Sequence, residues 1–349
     1  MKKHLLTVIQ VLITIGLLWW IFRNPEQNRK LLAALDQANL WWFIPGLAAL
    51  AGGVLLQAQR WIILLRVQGI FVSYWRALRI IMIGMFFNLF LIGSTGGDII
   101  KIFLIMREAP DKKTGALLSV FIDRVVGVLA LAAVSSVVII LRWSELVKHN
   151  VTLYGVEVVG IILGGSLAFI VVAWLVGRLN LTSKLPHWMP LRDKIAEAAG
   201  AFTEYARAGK SVGWAFLLSL PAHLLIFSTF YFGDQAFGAG LSLLSIFCVM
   251  PIVATVTALP ISVGGAGLRE GLFIKILGAL YATSEPIATL ISLSGFLMVV
   301  FWSLIGGVVY LLYRSTSHDH TNLSEMKDRV ETLEHRVEKN LEEGRPIQE

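Results

Sequence analysis

The chain has 349 residues, of which 56% are hydrophobic and only 15% charged, and its net charge is +7. Soluble domains carry roughly 25% charged residues, so this balance excludes a soluble globular protein and identifies an all-α polytopic membrane protein. The cationic excess reads as membrane-surface charge rather than a nucleic-acid footprint, and a single cysteine, Cys248, excludes an internal disulfide and cysteine-based metal spacing.

Lys2 and Lys3 precede an apolar run at 5–22, too long for a signal peptide and without a small-x-small cleavage site. It reads as an uncleaved first span. A second span is expected from about 40 to 63, with Trp19, Trp20, Trp41 and Trp42 flanking the polar link as an interfacial belt. Arg60, Arg66, Arg76 and Arg79 read as the basic end of that span. The apolar stretches 80–92 and 99–106 are each too short to cross, since a span needs roughly 17–25 residues. Between them stands Ser94-Thr95-Gly96-Gly97-Asp98, a helix break. Basic sequence on both sides predicts a re-entrant hairpin at 80–106.

Full spans follow at 116–141 and 153–176. The hydrophilic stretch after them contains an amphipathic helix near 191–208, expected on the membrane surface. Another span covers 212–232, with Pro221 as a kink. A second pair of short apolar segments at 241–281 is interrupted by Ser262-Val263-Gly264-Gly265-Ala266. The last span is 287–313. The tail, 315–349, carries a short heptad stripe at 319–341 that offers a homo-oligomer contact or a marginal helix.

The pattern is span, span, hairpin, span, and then the same again: six full spans and two re-entrant hairpins, in repeats 1–141 and 142–314. Each repeat crosses three times, so the second is inverted relative to the first. Both termini then lie in the cytoplasm, where this arrangement also places most of the Lys and Arg.

Both breaks read Ser-x-Gly-Gly with a cation four residues after the second glycine, Lys101 in the first and Arg269 in the second. A helix starting inside the membrane presents free N–H groups and the positive end of its dipole, which favours an anion. The expectation is a phosphate headgroup held between the two helix ends by Ser94, Gly96, Gly97, Asp98, Lys101, Arg124, Ser262, Gly264, Gly265 and Arg269. Asp98 stands at a capping position. Asp123, Glu270 and His223 are candidates for coupling or charge pairing, because intramembrane ionisable groups are costly. The simpler alternative is that Asp98–Lys101, Asp123–Arg124 and Arg269–Glu270 only neutralise one another. His223 reads first as a hydrogen-bonded packing residue and Lys275 as a snorkelling cation.

No nucleotide loop, nucleophile elbow, metal motif or cofactor motif is present. The expectation is a transporter rather than an enzyme. The alternatives are a membrane-embedded transferase or accessory subunit for polyprenyl-phosphate-linked substrates, and a scaffold.

The stretch 88–124, with Gly96, Gly97, Asp98, Lys101, Asp123 and Arg124, resembles the first signature of the lysylphosphatidylglycerol synthase transmembrane-region family. The stretch 260–270, with Pro260, Gly264, Gly265, Gly267, Arg269 and Glu270, is similar to the second. The first departs from the usual pattern: Lys101 replaces an arginine, and Ile92-Gly93 stand where a proline is common. The resemblance implies a flippase-like translocator of phospholipid in the bacterial inner membrane. It implies no lipid synthesis, because only a short tail follows Arg314.

Overall fold

The computed structural model describes residues 2–90, 96–178, 192–259 and 261–316. Among these, regular structure is helical throughout. The helices are α1 (Lys2–Phe22), α2 (Pro25–Asp36), α3 (Phe43–Val67), α4 (Tyr74–Phe90), α5 (Gly96–Glu108), α6 (Lys113–Leu141), α7 (Trp143–Leu146), α8 (Asn150–Arg178), α9 (Arg192–Arg207), α10 (Gly209–Phe237), α11 (Leu243–Thr257), α12 (Leu268–Tyr281) and α13 (Glu285–Thr316). The heptad stripe at 319–341, Ser94 and Pro260 lie outside the described residues.

Among the described residues, five segments are long and apolar enough to cross a bilayer: Leu40–Val67, Pro110–Leu141, Asn150–Ala168, Gly209–Phe237 and Glu285–Tyr313. Leu12–Phe22 in α1 and Leu243–Thr257 are shorter apolar helical stretches. This is a multi-pass helical membrane protein. The polar link between the first two apolar runs is not a plain loop. Asn24 caps α2 by accepting from the Glu26 N–H at 3.0 Å, and Pro25 supplies the fixed φ of a first helical position.

The core is built on α3 and α10, which run antiparallel. Gly46 of α3 meets Phe232, Gly53 meets Ala222 and Ile226, and Arg60 meets Ser219. Small residues along this seam let the two backbones approach, which is how helices associate where lipid offers no hydrophobic drive. Around the seam, α4 packs on α13 and α11 packs on α6. Gly307 takes the ring of Phe86, and the hydroxyls of Ser135 and Thr255 bond at 3.1 Å.

Helices α4 and α5 form an antiparallel pair. Arg76 bonds Glu108 at its open end, Gly84 packs on Lys101 midway, and Asn88 bonds Gly97 next to the connection. At 1.5 Å per residue these helices are about 26 and 20 Å long, against roughly 30 Å of hydrocarbon. Helices α11 and α12 are similarly short, about 22 and 21 Å.

The amphipathic helix α9 is docked on protein. Tyr205 is buried among Leu64, Leu118, Ile122 and Ala215, and its hydroxyl donates to the Leu64 carbonyl at 3.1 Å. Burial, and then the Asp123 charge, push that hydroxyl's pKa up, so it stays protonated and donating.

Candidate functional site

The first break places its residues on one cavity of about 250 Å³ between α3, α4, α5, α6 and α10. Helix α5 begins at the break itself. Its Gly97 N–H, one of the orphan donors of the first turn, is taken by the Asn88 side-chain oxygen at 2.7 Å. A methyl group at Gly97 would collide with the Gly84 carbonyl and the Asn88 amide, so only glycine permits this closeness. The expected cap, Asp98, is instead a residue of the first turn. Its carboxylate pairs with Arg124 of α6 at 2.7 Å, on the more open side of the cavity.

The inner side holds a buried charge cluster. Asp123 of α6 accepts from Arg60 Nε through one oxygen at 2.7 Å and from Lys101 Nζ through the other at 3.4 Å. Arg60 also donates to the Ser219 hydroxyl at 3.1 Å, and the Lys101 ammonium lies 4.8 Å from the centre of the Trp61 ring. All three charged groups are buried. A carboxylate buried in hydrocarbon requires such partners, and two cations on one carboxylate leave the cluster positive. His223 of α10 also lines the cavity. Its Nε2 lies 3.0 Å from the Gly127 carbonyl and its ring stacks on Phe227.

Sequence reasoning misplaces one residue of this site. Arg60 reads in the sequence as the basic end of the second span. In the structure α3 continues to Val67, and Arg60 lies buried inside it. The available signal was the apolar run Trp61–Leu65, which continues the helix beyond the arginine. Asn88, in the first short apolar stretch, reads as a residue that bonds across helices, and it does so through the Gly97 N–H. The expected neutralising pairs also changed partners: Asp98 takes Arg124, and Asp123 takes Lys101 together with Arg60. Adjacent residues on a helix point about 100° apart, so Asp123 and Arg124 face different sides of α6.

The second break is built differently. Gly264, Gly265 and Gly267 have φ of +58°, +76° and +78°, a left-handed path that residues with a Cβ adopt only at a cost. The path is fastened to α1, where the Thr14 hydroxyl accepts from the Val263 N–H at 2.9 Å. Glu270 is almost fully buried. One oxygen accepts from the Gly267 N–H at 2.6 Å. The other accepts from Arg269 NH2 at 2.6 Å and from the Ser292 hydroxyl at 3.0 Å. The Arg269 guanidinium also lies 4.7 Å from the centre of the Phe296 ring. Arg269–Glu270 is thus the one expected pair that forms as written. Among the described residues, the buried Ser262 hydroxyl has no hydrogen-bond partner. Lys275 is exposed, as a snorkelling residue would be.

The two breaks do not meet in the cavity. It is lined by Asp98, Lys101, Asp123, Arg124 and His223, and by none of Ser262, Gly264, Gly265, Arg269 or Glu270. Gly96 and Gly97 are buried beside it. The first break packs against α4 and α6, while the second packs against α1, α11 and α13.

Comparison with known proteins gives two matches. The family model described as "Lysylphosphatidylglycerol synthase TM region" matches residues 7–316. A UPF0104 membrane protein of Pyrococcus horikoshii, PH1989, is 29% identical over 131 residues, which is 37% of this chain and 38% of that protein. The matched stretch therefore spans well under half the length of that relative. No solved structure matches the chain.

Proposed function

The chain belongs to the lysylphosphatidylglycerol synthase TM-region family, and from that premise we propose that it moves an anionic phospholipid between leaflets, binding its phosphate in the cavity beside the first break. The observation that carries this reading is the buried cluster of Arg60, Lys101 and Asp123, with Arg124 and Asp98 at the same cavity. Three cations face two carboxylates, so the cavity has a net positive charge and one phosphate completes its balance. Counting along the helices, Arg60 lies about 10 Å and Asp123 about 15 Å from the nearer ends of their spans. A charged headgroup crossing the bilayer meets its worst desolvation at that depth.

Lys101 is the exchangeable member. Its bond to Asp123 is long for a charge-assisted pair, which ordinarily measures about 2.7–2.9 Å. Arg60 holds the same carboxylate at 2.7 Å, so Lys101 can turn to an arriving phosphate while Asp123 stays neutralised. Asp98 and Arg124 act at the rim. The lipid tails remain in hydrocarbon, and only the headgroup enters.

Re-entrant hairpins at 80–106 and 241–281 and an inverted repeat belong to this reading. The short antiparallel α4–α5 pair supports the first hairpin. An offset of 168 residues, the separation of Lys101 from Arg269, carries α2, α3, α4 and α6 onto α9, α10, α11 and α13. The counterpart helices α3 and α10 run antiparallel, as an inverted repeat requires and a parallel repeat forbids. Cytoplasmic termini belong to this reading through the charge bias, and a bacterial inner membrane through the family resemblance.

The test is leaflet transfer of fluorescent phosphatidylglycerol in proteoliposomes. Lys101→Ala and Arg60→Ala are expected to lower the rate about 10- to 100-fold, the equivalent of losing one charged hydrogen bond of roughly 1.5–3 kcal/mol. Full transfer by both variants would reject the cavity as the site. Product formed from a lipid-linked donor, without transfer, would instead favour a transferase for polyprenyl-phosphate substrates.

A further inference from the structure

Where α3 ends and α10 begins, α9 closes a separate groove of about 680 Å³. Ile63, Arg66, Val67, Glu204, Arg207 and Trp214 line it. Arg66 is in the last turn of one apolar span, and Trp214 stands one turn into another. The groove therefore lies at the edge of the hydrocarbon, the depth at which lipid phosphates sit. Both arginines are exposed, and neither makes an ion pair among the described residues. Two guanidinium groups thus face one carboxylate, Glu204, across the same opening.

The other walls are apolar. Ile63 and Val67 are half-buried, and the Trp214 ring is 63% exposed, an amphipathic ring at the boundary of a span. This combination distinguishes a lipid from a soluble anion: the guanidinium fork takes a phosphate in bidentate fashion, and the apolar wall takes the first carbons of an acyl chain. Helix α9 holds Arg207 in place, because Tyr205 anchors it to α3 two residues away.

We propose that this groove is a docking site for the phosphate headgroup of an anionic phospholipid, separate from the cavity beside the first break. Unlike that cavity it holds its lipid at the surface, with both chains in the membrane. The site stands whether or not the cavity translocates lipid.

Native mass spectrometry of the delipidated full chain, titrated with phosphatidylglycerol, tests it. The Arg66→Gln/Arg207→Gln variant is expected to lose one retained lipid, with about tenfold weaker binding of that copy. Lys275→Gln, at an exposed cation outside both sites, is expected to keep it. Arg66→Lys/Arg207→Lys should fall between, since it keeps charge but loses the fork. Arg207→Gln alone, on an exposed helix end, reads the same loss if the double variant proves unstable. Unchanged retention by the glutamine variants would overturn the proposal. So would equal retention of phosphatidylcholine, or displacement of the lipid by millimolar inorganic phosphate.

Discussion

The two glycine breaks share a sequence pattern and differ in what their charges do. At the first, the acid that meets the motif's cation comes from another helix: Asp123 of α6 reaches both Lys101 of α5 and Arg60 of α3. The cluster faces a cavity and keeps an excess positive charge. At the second, the acid adjoins the cation in sequence. Glu270 satisfies Arg269, Ser292 and the backbone of its own helix start, and no charge is left over. Twin motifs can therefore do separate jobs. One presents charge to a cavity; the other closes a sharp turn in the chain.

That contrast predicts opposite consequences for stability and transport. The largest stability effect is expected from Glu270→Ala, which leaves Arg269 without its carboxylate and the Gly267 N–H without an acceptor. Losing one partner of a buried pair costs about 3–5 kcal/mol, read as a lower midpoint of thermal unfolding in detergent. Lys101→Ala should cost less, about 1–2 kcal/mol, because Arg60 still holds Asp123 and only the longer bond to that carboxylate and the contact with the Trp61 ring are lost. If the two midpoints fall equally, the division of labour is wrong.

The glycines give the next effect. Gly97→Ala forces α4 and α5 apart at a close contact, for about 1–3 kcal/mol. Gly265→Ala strains a left-handed residue, for about 1–2 kcal/mol. Gly97→Ala alone should also lower leaflet transfer per folded molecule, because Lys101 and Asp98 ride on the displaced helix. Equal transfer by both variants would remove the distinction between the breaks.

The smallest effect belongs to the rim pair. Asp98→Asn breaks the bond to Arg124, whose side chain is 42% exposed, so water replaces the partner and stability should change by less than about 1 kcal/mol. Circular dichroism melts check this. A shift comparable with that of Glu270→Ala would mean that the rim is as closed as the second break.

Much of the scaffold was legible in the residues. Long apolar runs marked five of the helices that can cross, and the glycine pairs marked the interruptions. The clearest failure was Arg60. A lone arginine in an apolar run signals either the end of a span or a buried cation, and the choice depends on whether another helix brings a carboxylate. Asp123 is 63 positions away. Asn88 could be read as an inter-helix bonding residue, but that its partner is the Gly97 N–H depends on how α5 returns beside α4. The docked face of α9 was visible as an amphipathic pattern, but the burial of its Tyr205 against neighbouring helices was not, because a lipid surface and a protein surface select the same apolar stripe.

The sequence alone determined that the chain is a helical membrane protein with a repeated break followed by a cation. Composition, run length and glycine placement are local properties, and the bilayer acts on them locally through the cost of unsatisfied backbone and of charge. Only the tertiary structure decided which acid meets which cation. Side-chain direction turns about 100° per residue, so neighbours in sequence part company and distant helices supply the partners. For that reason the first break opens onto a charged cavity while its twin closes on itself.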